Sequence, residues 1–375
     1  MPQDRYIGLM SGTSLDGIDI AIVDLTDDHC SLIAAGSADI SDALRDELMA
    51  LCAADMLDPE RIARADVRFG IELADATNQF LRESGIPPES IAAIGSHGQT
   101  IRHRPKRNHN DIPGFTWQIG DPNIIAERTG ITTVGDFRRR DIAAGGQGAP
   151  LVPAFHQAMF SQAGKVRAVL NIGGMANITV LGSEPDCIGF DTGPGNVLLD
   201  AWHMRHRQSA FDQNGDWARS GNVDSNLLLK LLEHPFLSLA PPKSTGREEF
   251  NISWLSDLIE HHCPQTQAAD IQSTLLDFTA ISAAKAVNAF QVEEVFVCGG
   301  GAHNGLLMQR LAELIPNTTV NTTAVLGIDP DWVEAIAFAW LAKRTLNKLS
   351  GNVPAVTGAS HRVPLGSIHL GSCSD

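Results

Sequence analysis

Basic residues are scarce: 28 Lys plus Arg stand against 44 Asp plus Glu in 375 residues, for a formal charge of −16. Such a surface repels a phosphate backbone, so no nucleic-acid partner is expected. Cysteine is sparse too. The six, Cys30, Cys52, Cys187, Cys263, Cys298 and Cys373, form no close pair in sequence. That pattern argues against a disulfide framework and a zinc knuckle, and it fits a reducing cytoplasm. No apolar run reaches the roughly 18 to 20 residues needed to cross a bilayer, and Met1 to Arg5 lack the start of a signal peptide. A cytoplasmic protein without membrane contact is expected. Low-complexity tracts are also missing; the 34 glycines gather in short clusters between apolar runs. What remains is an ordinary globular composition, 43% apolar and 19% charged, on a chain long enough for two domains.

The clusters punctuate a readable pattern. Tyr6 to Met10 and Ile18 to Leu25 are apolar runs flanking a small-residue turn, Ser11 to Gly17, which predicts a β-hairpin. Val67, Ile71, Ala74, Thr77 and Leu81 recur at helical spacing, with Gly85, Pro87 and Pro88 as a stop. Strands are expected over Ile91 to Gly95, Phe115 to Ile119 and Ile131 to Val134, with a helix over Pro122 to Thr129. Arg138 to Pro153 has few core-forming residues, so a domain crossing is placed there. Val166 to Asn171, a glycine turn and Asn177 to Leu181 then repeat the opening design. The organisation expected is α/β, with residues 1–140 plus a returning segment 330–375 as one domain and 141–329 as the second. Two related halves of this kind commonly bind a ligand between them.

Three glycine loops carry the chemistry. Bare backbone can approach a phosphate closely, so Gly12, Thr13, Ser14 and Gly17 form a candidate cradle, although hairpin turns use glycine for geometry alone. Asp191-Thr192-Gly193-Pro194-Gly195 is a candidate second phosphate contact, and Gly299 to Gly301 could admit a flat purine. No Walker A run is present, and Gly299 to Gly305 misses the dinucleotide spacing. Asp191 reads either as a general base at a strand exit or as an Asx turn or helix cap. Asp16 and Asp19 could hold magnesium through water, or could simply face solvent. Arg138 to Arg140 could bind an acidic substrate or form a solvated face. His97 reads as a substrate contact or a loop histidine, while His203 and His206 read as surface residues, not zinc ligands.

Six runs are family-like: Gly8-Leu9-Met10-Ser11-Gly12-Thr13-Ser14-Leu15-Asp16-Gly17, Gly95-Ser96-His97-Gly98-Gln99-Thr100, Gly145-Gly146-Gln147-Gly148-Ala149-Pro150-Leu151-Val152-Pro153, Asn171-Ile172-Gly173-Gly174, Phe190-Asp191-Thr192-Gly193-Pro194-Gly195-Asn196 and Cys298-Gly299-Gly300-Gly301-Ala302-His303-Asn304. In this order they resemble the anhydro-N-acetylmuramic acid kinase family over nearly the whole chain. The resemblance implies two RNase H-like domains of the actin, Hsp70 and sugar kinase superfamily closing on ATP. It implies an ATP-dependent opening of the 1,6-anhydro bridge of a peptidoglycan amino sugar, giving the 6-phosphate, with Mg2+ offsetting phosphate charge.

On the same footing Asp191 matches the family's catalytic aspartate. Gly12, Thr13, Ser14, Leu15, Asp16, Gly17, Ile18 and Asp19 match its ATP loop. Thr192, Gly193 and Gly195 match a second phosphate contact, and Gly299, Gly300, Gly301 and Asn304 a nucleoside contact. Arg138 is expected to take the sugar's lactyl carboxylate, with His97 and Glu334 as polar contacts. A homodimer is implied by the resemblance alone. Residues 210–242 and the tail after Ser350 carry no matched motif. An ordinary sugar kinase of the superfamily, or a nucleotide-binding sensor, are the alternative readings.

Overall fold

The computed structural model describes residues 4–12, 15, 17–26, 29–53, 56, 58–105, 114–182 and 187–372. They form two compact units, Met1–Met159 with Trp332–Asp375, and Phe160–Asp331.

In the first unit, β1 (Arg5–Met10) and β2 (Ile18–Leu25) pair antiparallel from Arg5 opposite Asp24 to Met10 opposite Asp19. β3 (Cys30–Ala38) continues the meander, and β4 (Ala93–Ser96) lies parallel to β1 on its other side. β5 (Gln99–Arg104) and β6 (Phe115–Ile119) form a separate two-stranded ribbon, and β7 (Thr133–Gly135) runs parallel to β4. The strand Ser367–His369 closes the edge against β7. Ile7, Ile18 and Ile22 are fully buried and alternate with less buried neighbours at the strand ends, which fixes the register of the hairpin.

The helix Pro59–Ser84 begins at an Asp58 cap whose carboxylate accepts the Glu60 N–H at 3.0 Å, and ends at Gly85 with φ 64°. Its buried stripe runs Ile62, Phe69, Leu73, Thr77 and Leu81. Val67, expected on that stripe, is exposed, because the stripe is set by Ala65, Phe69 and Leu73 and a residue two positions from Phe69 points to the opposite side of the helix. The helix Val333–Leu346 packs on β1 and β4, and glycine is what permits the approach: a Cβ at Gly8 would lie 1.7 Å from the Ala335 carbonyl oxygen, and one at Gly95 2.0 Å from that of Phe338.

The expected boundary at residues 140/141 is displaced to 159/160. Asp141 is the cause. Fully buried, it accepts Asn352 Nδ2–H at 2.7 Å and Thr357 Oγ–H at 2.8 Å on one oxygen, and the Gly148 N–H at 2.7 Å on the other. A buried carboxylate needs such partners, and satisfying it ties the stretch after Arg140 to the returning C-terminal segment. The stretch is also less irregular than expected, with helices Arg139–Ala143 and Val152–Phe160.

The second unit repeats the first sheet's plan. β8 (Arg167–Ile172), β9 (Met175–Leu181) and β10 (Cys187–Pro194) form an antiparallel meander, while β11 (Glu294–Cys298) runs parallel to β8 and β12 (Thr319–Thr322) parallel to β11. The order β10-β9-β8-β11-β12 has the same connectivity as β3-β2-β1-β4-β7, so each unit is the RNase H-like α/β arrangement. The alanine-rich helix Ala268–Asn288 covers one face and buries Leu275, Phe278 and Val287. Helices Ser225–Leu232 and Ile252–His262, unmarked in the sequence reading, complete its core through Leu227 and Leu255. The five described cysteines are free, and no helix among the described residues is long and apolar enough to cross a membrane.

Candidate active site

In the second unit, parallel β8 and β11 deliver their C-terminal ends to glycine turns, the place where ligands bind in α/β sheets. The turns interlock. A Cβ at Gly195 would lie 2.3 Å from the Gly173 carbonyl oxygen, and one at Gly301 2.4 Å from Ile172 Cγ2. Gly299 holds φ 75° with its would-be Cβ 2.4 Å from Asn171 Oδ1. The Gly174 carbonyl accepts the N–H groups of Gly195 and Val197, and Gly173 accepts that of Asn196. Three bare backbone segments therefore lie side by side, with no side chain able to intervene.

Asp191 does not stand at a strand exit. It lies within β10 opposite Asn177, and the register then slips between Asp191 and Gly193, opposite Ala176. This bulge re-aims the carboxylate and removes it from the helix start, where Asn196 occupies the cap position. Its partner is a segment that no sequence motif marked, Lys243 to Phe250. The Asp191 N–H donates to the Lys243 carbonyl at 3.0 Å, and Asp191 Oδ2 accepts the Thr245 N–H at 3.0 Å. Burial pushes the Asp191 carboxyl up to about 6; the Thr245 N–H opposes that, Glu248 adds to it, and the Lys243 cation opposes it again. The carboxylate is thus fixed through one oxygen and titrates close to neutrality. The only sequence signal for Lys243 to Phe250 is the small-residue run Ser244-Thr245-Gly246 after Pro241-Pro242.

The remaining second-unit residues divide by what their side chains already do. Thr192 Oγ donates to the Ala176 carbonyl at 3.2 Å, and Asn304 caps the helix Gly305–Leu314 by accepting the Leu307 N–H at 3.1 Å. Gly193 has φ 151° and Gly300 faces Asn196 Nδ2. His203, expected at the surface, is 7% exposed and hydrogen-bonds Ser209 because the helix Val197–Arg207 turns it inward.

In the first unit, Thr13, Ser14 and Asp16 lie outside the described residues. Of the rest of that loop, Leu15 has φ 57° and donates its N–H to the Gly12 carbonyl at 3.2 Å. Leu15 and Ile18 bury their side chains in the core, so only their backbone can face a ligand, and Gly17 lies against the Ala38 carbonyl. Asp19 accepts Ser37 Oγ–H at 2.8 Å.

Arg138, His97 and Glu334, far apart in sequence, come together in this unit. Arg138 donates from Nε at 3.1 Å and Nη2 at 2.8 Å to His97 Nε2, and from Nη1 at 2.8 Å to the Gly148 carbonyl. Burial and the Arg138 cation push His97 down to about 3, so the ring is neutral with its proton on Nδ1 and its Nε2 lone pair free to accept. Burial lowers Arg138 to about 10, with the Glu334 and Asp141 carboxylates opposing. Arg138 is a fixed cation oriented by His97, which is itself only 6% exposed.

A family profile described as anhydro-N-acetylmuramic acid kinase matches residues 4–371. An anhydro-N-acetylmuramic acid kinase of Shewanella sp. (strain MR-4) is 53% identical over 368 residues, covering 98% of each chain. One of the same name from Xylella fastidiosa (strain Temecula1 / ATCC 700964) is 49% identical over 374 residues, covering 98% of this chain and 97% of its own. Identity at that level over 98% of the chain, with the family profile matching residues 4–371, leads to one conclusion: the chain belongs to the anhydro-N-acetylmuramic acid kinase family.

Proposed function

We propose that the protein is an ATP-dependent kinase that opens 1,6-anhydro-N-acetylmuramic acid with water and phosphorylates O6. Asp191 Oδ1 takes a proton from water as the water oxygen bonds to the anomeric carbon. The bond from that carbon to the bridging oxygen breaks, and the bridging oxygen attacks the γ-phosphorus while the bond to ADP breaks. N-acetylmuramic acid 6-phosphate and ADP leave, and the proton stays on Asp191 until solvent takes it. A base must be ionised yet willing to accept a proton, and a carboxyl poised near 6 satisfies both at neutral pH.

Backbone N–H groups of the glycine turns at 173–174, 193–195 and 299–301 take the phosphates and nucleoside, except those of Gly195 and Gly299, which already donate to the Gly174 and Pro330 carbonyls; Gly12 to Asp19 are a further ATP contact. Arg138 takes the lactyl carboxylate through its remaining N–H groups, with His97 orienting it and Glu334 holding its charge. Among the described residues no three His, Cys, Asp or Glu cluster as a metal cage. Mg2+ keeps most of its waters and needs one or two carboxylates beside the phosphates. Asp19, with Asp16, would hold it through water, and the ion would offset phosphate charge.

The observation that carries the reading is the Asp191 carboxyl pinned by the Thr245 N–H on the bulge beside the glycine turns. ADP release with the anhydro sugar, set against a panel of free sugars, tests it. Reaction in oxygen-18 water must put solvent oxygen on the anomeric carbon. Label absent there, with free sugars preferred, would instead give an ordinary sugar kinase, and ATP binding without turnover a sensor.

A further inference from the structure

The segment that pins Asp191 also carries Arg247, two residues beyond Thr245. Its Nη2 stands 4.0 Å from where a Cβ on Gly174 would be, so the guanidinium lies over the turn whose carbonyl holds the Gly195 and Val197 amides. Its charge also reaches Asp200, one turn into the helix Val197–Arg207. Burial lifts Asp200 to about 7, Arg247 opposes that lift and Asp212 adds to it. Arg247 is exposed, and its side chain makes no ion pair or hydrogen bond among the described residues. The nearby cation Lys243 is otherwise engaged: its Nζ donates to the Phe236 carbonyl at 3.2 Å and to that of Leu237 at 3.4 Å, and stands 4.6 Å from the Phe236 ring centre.

A triphosphate entering these turns meets Asp191, Asp200 and Glu248 on a chain of net charge −16. Carboxylates repel it, and backbone N–H groups supply dipoles but no full charge. Negative charge spreads over the equatorial oxygens of the transferring phosphoryl group in flight, and a planar fork of N–H donors matches two of them at once.

We propose that Arg247 is a catalytic residue of the phosphoryl transfer, its guanidinium contacting the γ-phosphoryl oxygens of the bound nucleotide. This rests on the kinase reading above. Arg247 moves no proton; as the bridging oxygen bonds to phosphorus and the bond to ADP breaks, it stabilises charge that ends on the ADP β-phosphate.

Arg247→Ala and Arg247→Lys test it by two measurements. Calorimetric titration without sugar compares a non-hydrolysable ATP analogue with ADP. Arg247→Ala should weaken the analogue about tenfold or more and leave ADP within about twofold. In turnover, kcat should fall about 100- to 1,000-fold with the sugar KM within about threefold, and Arg247→Lys should recover only part, since a point charge cannot bridge two oxygens. Equal weakening of both nucleotides, or kcat within about threefold of wild type, overturns the proposal. Because the binding comparison needs no sugar, it stays readable if the wild type fails to use the anhydro sugar, an outcome that would sink the function reading instead.

Discussion

Asp191→Asn should make the protein more stable while making it inactive, and the size of the gain follows from where the carboxyl titrates. Burial raises it from the ordinary 3.8 to about 6. A folded-state pKa above the unfolded value means that the folded chain holds the proton more tightly. Ionised Asp191 therefore costs stability at neutral pH, and the cost fades as pH falls through about 6 towards 3.8. Two units correspond to about 3 kcal/mol, as an upper figure. Asparagine removes the charge, keeps the shape and keeps an oxygen for the Thr245 N–H, so most of that cost should be recovered. Urea unfolding at pH 7.5 should show Asp191→Asn more stable than wild type by about 2 to 3 kcal/mol, and at pH 5 by about half as much, because wild type is by then largely protonated. ADP release should meanwhile drop by several orders of magnitude. Equal stability at pH 7.5, or a difference that does not shrink on acidification, would refute the claim that Asp191 is a buried carboxylate held ready to accept a proton.

Removing the Lys243 cation with Lys243→Met, which keeps the apolar stem over Phe236, should move the acid limb of the kcat/KM profile to higher pH, with Lys243→Arg close to wild type; an unmoved limb in the methionine variant would show that this charge does not reach the base. Arg138→Lys loses the fork shared between His97 and Gly148, so the KM for the anhydro sugar should rise about tenfold or more while the KM for ATP stays level, as steady-state titration of each substrate would show. Asp141→Ala strands three buried donors and should cost about 3 to 5 kcal/mol in urea unfolding, read by the first unit's signal. Gly8→Ala drives a methyl into the Ala335 carbonyl and should yield little soluble protein, whereas alanine at Gly145, where nothing lies within 4 Å, meets only its φ of 90° and should be milder.

What the sequence discloses depends on how local the cause is. β6 at Phe115–Ile119 and the helix Pro122–Thr129 fall on the residues expected, because an Asp-Pro start or a glycine stop marks each within a few positions. β3 at Cys30–Ala38 escapes notice. Its Ser, Ala and Gly residues lack strand character, and Gly36 is needed only because Phe80, from a distant helix, packs there: a Cβ would sit 2.9 Å from its ring. The domain boundary fails for a related reason, since the partners of Asp141 lie more than 200 residues downstream.

The site divides along the same line. Glycine turns are legible because their conformational demand is written in the residue itself. The surroundings that turn a carboxylate into a base are not. Position alone leaves Asp191 balanced between a base and a helix cap, and the bulge at Thr192 removes it from the helix start, where Asn196 takes the cap position. Thr245, 54 residues on, then supplies a donor through its backbone, an interaction that leaves no trace in side-chain identity. A family motif can therefore nominate the acid, but its proton affinity is raised by burial and trimmed by Thr245 and Lys243, which belong to a segment whose sequence reads as an ordinary loop. Changes there, with the Asp191 motif intact, should be the ones that shift the pH dependence of turnover, and those in the glycine turns the ones that shift nucleotide affinity.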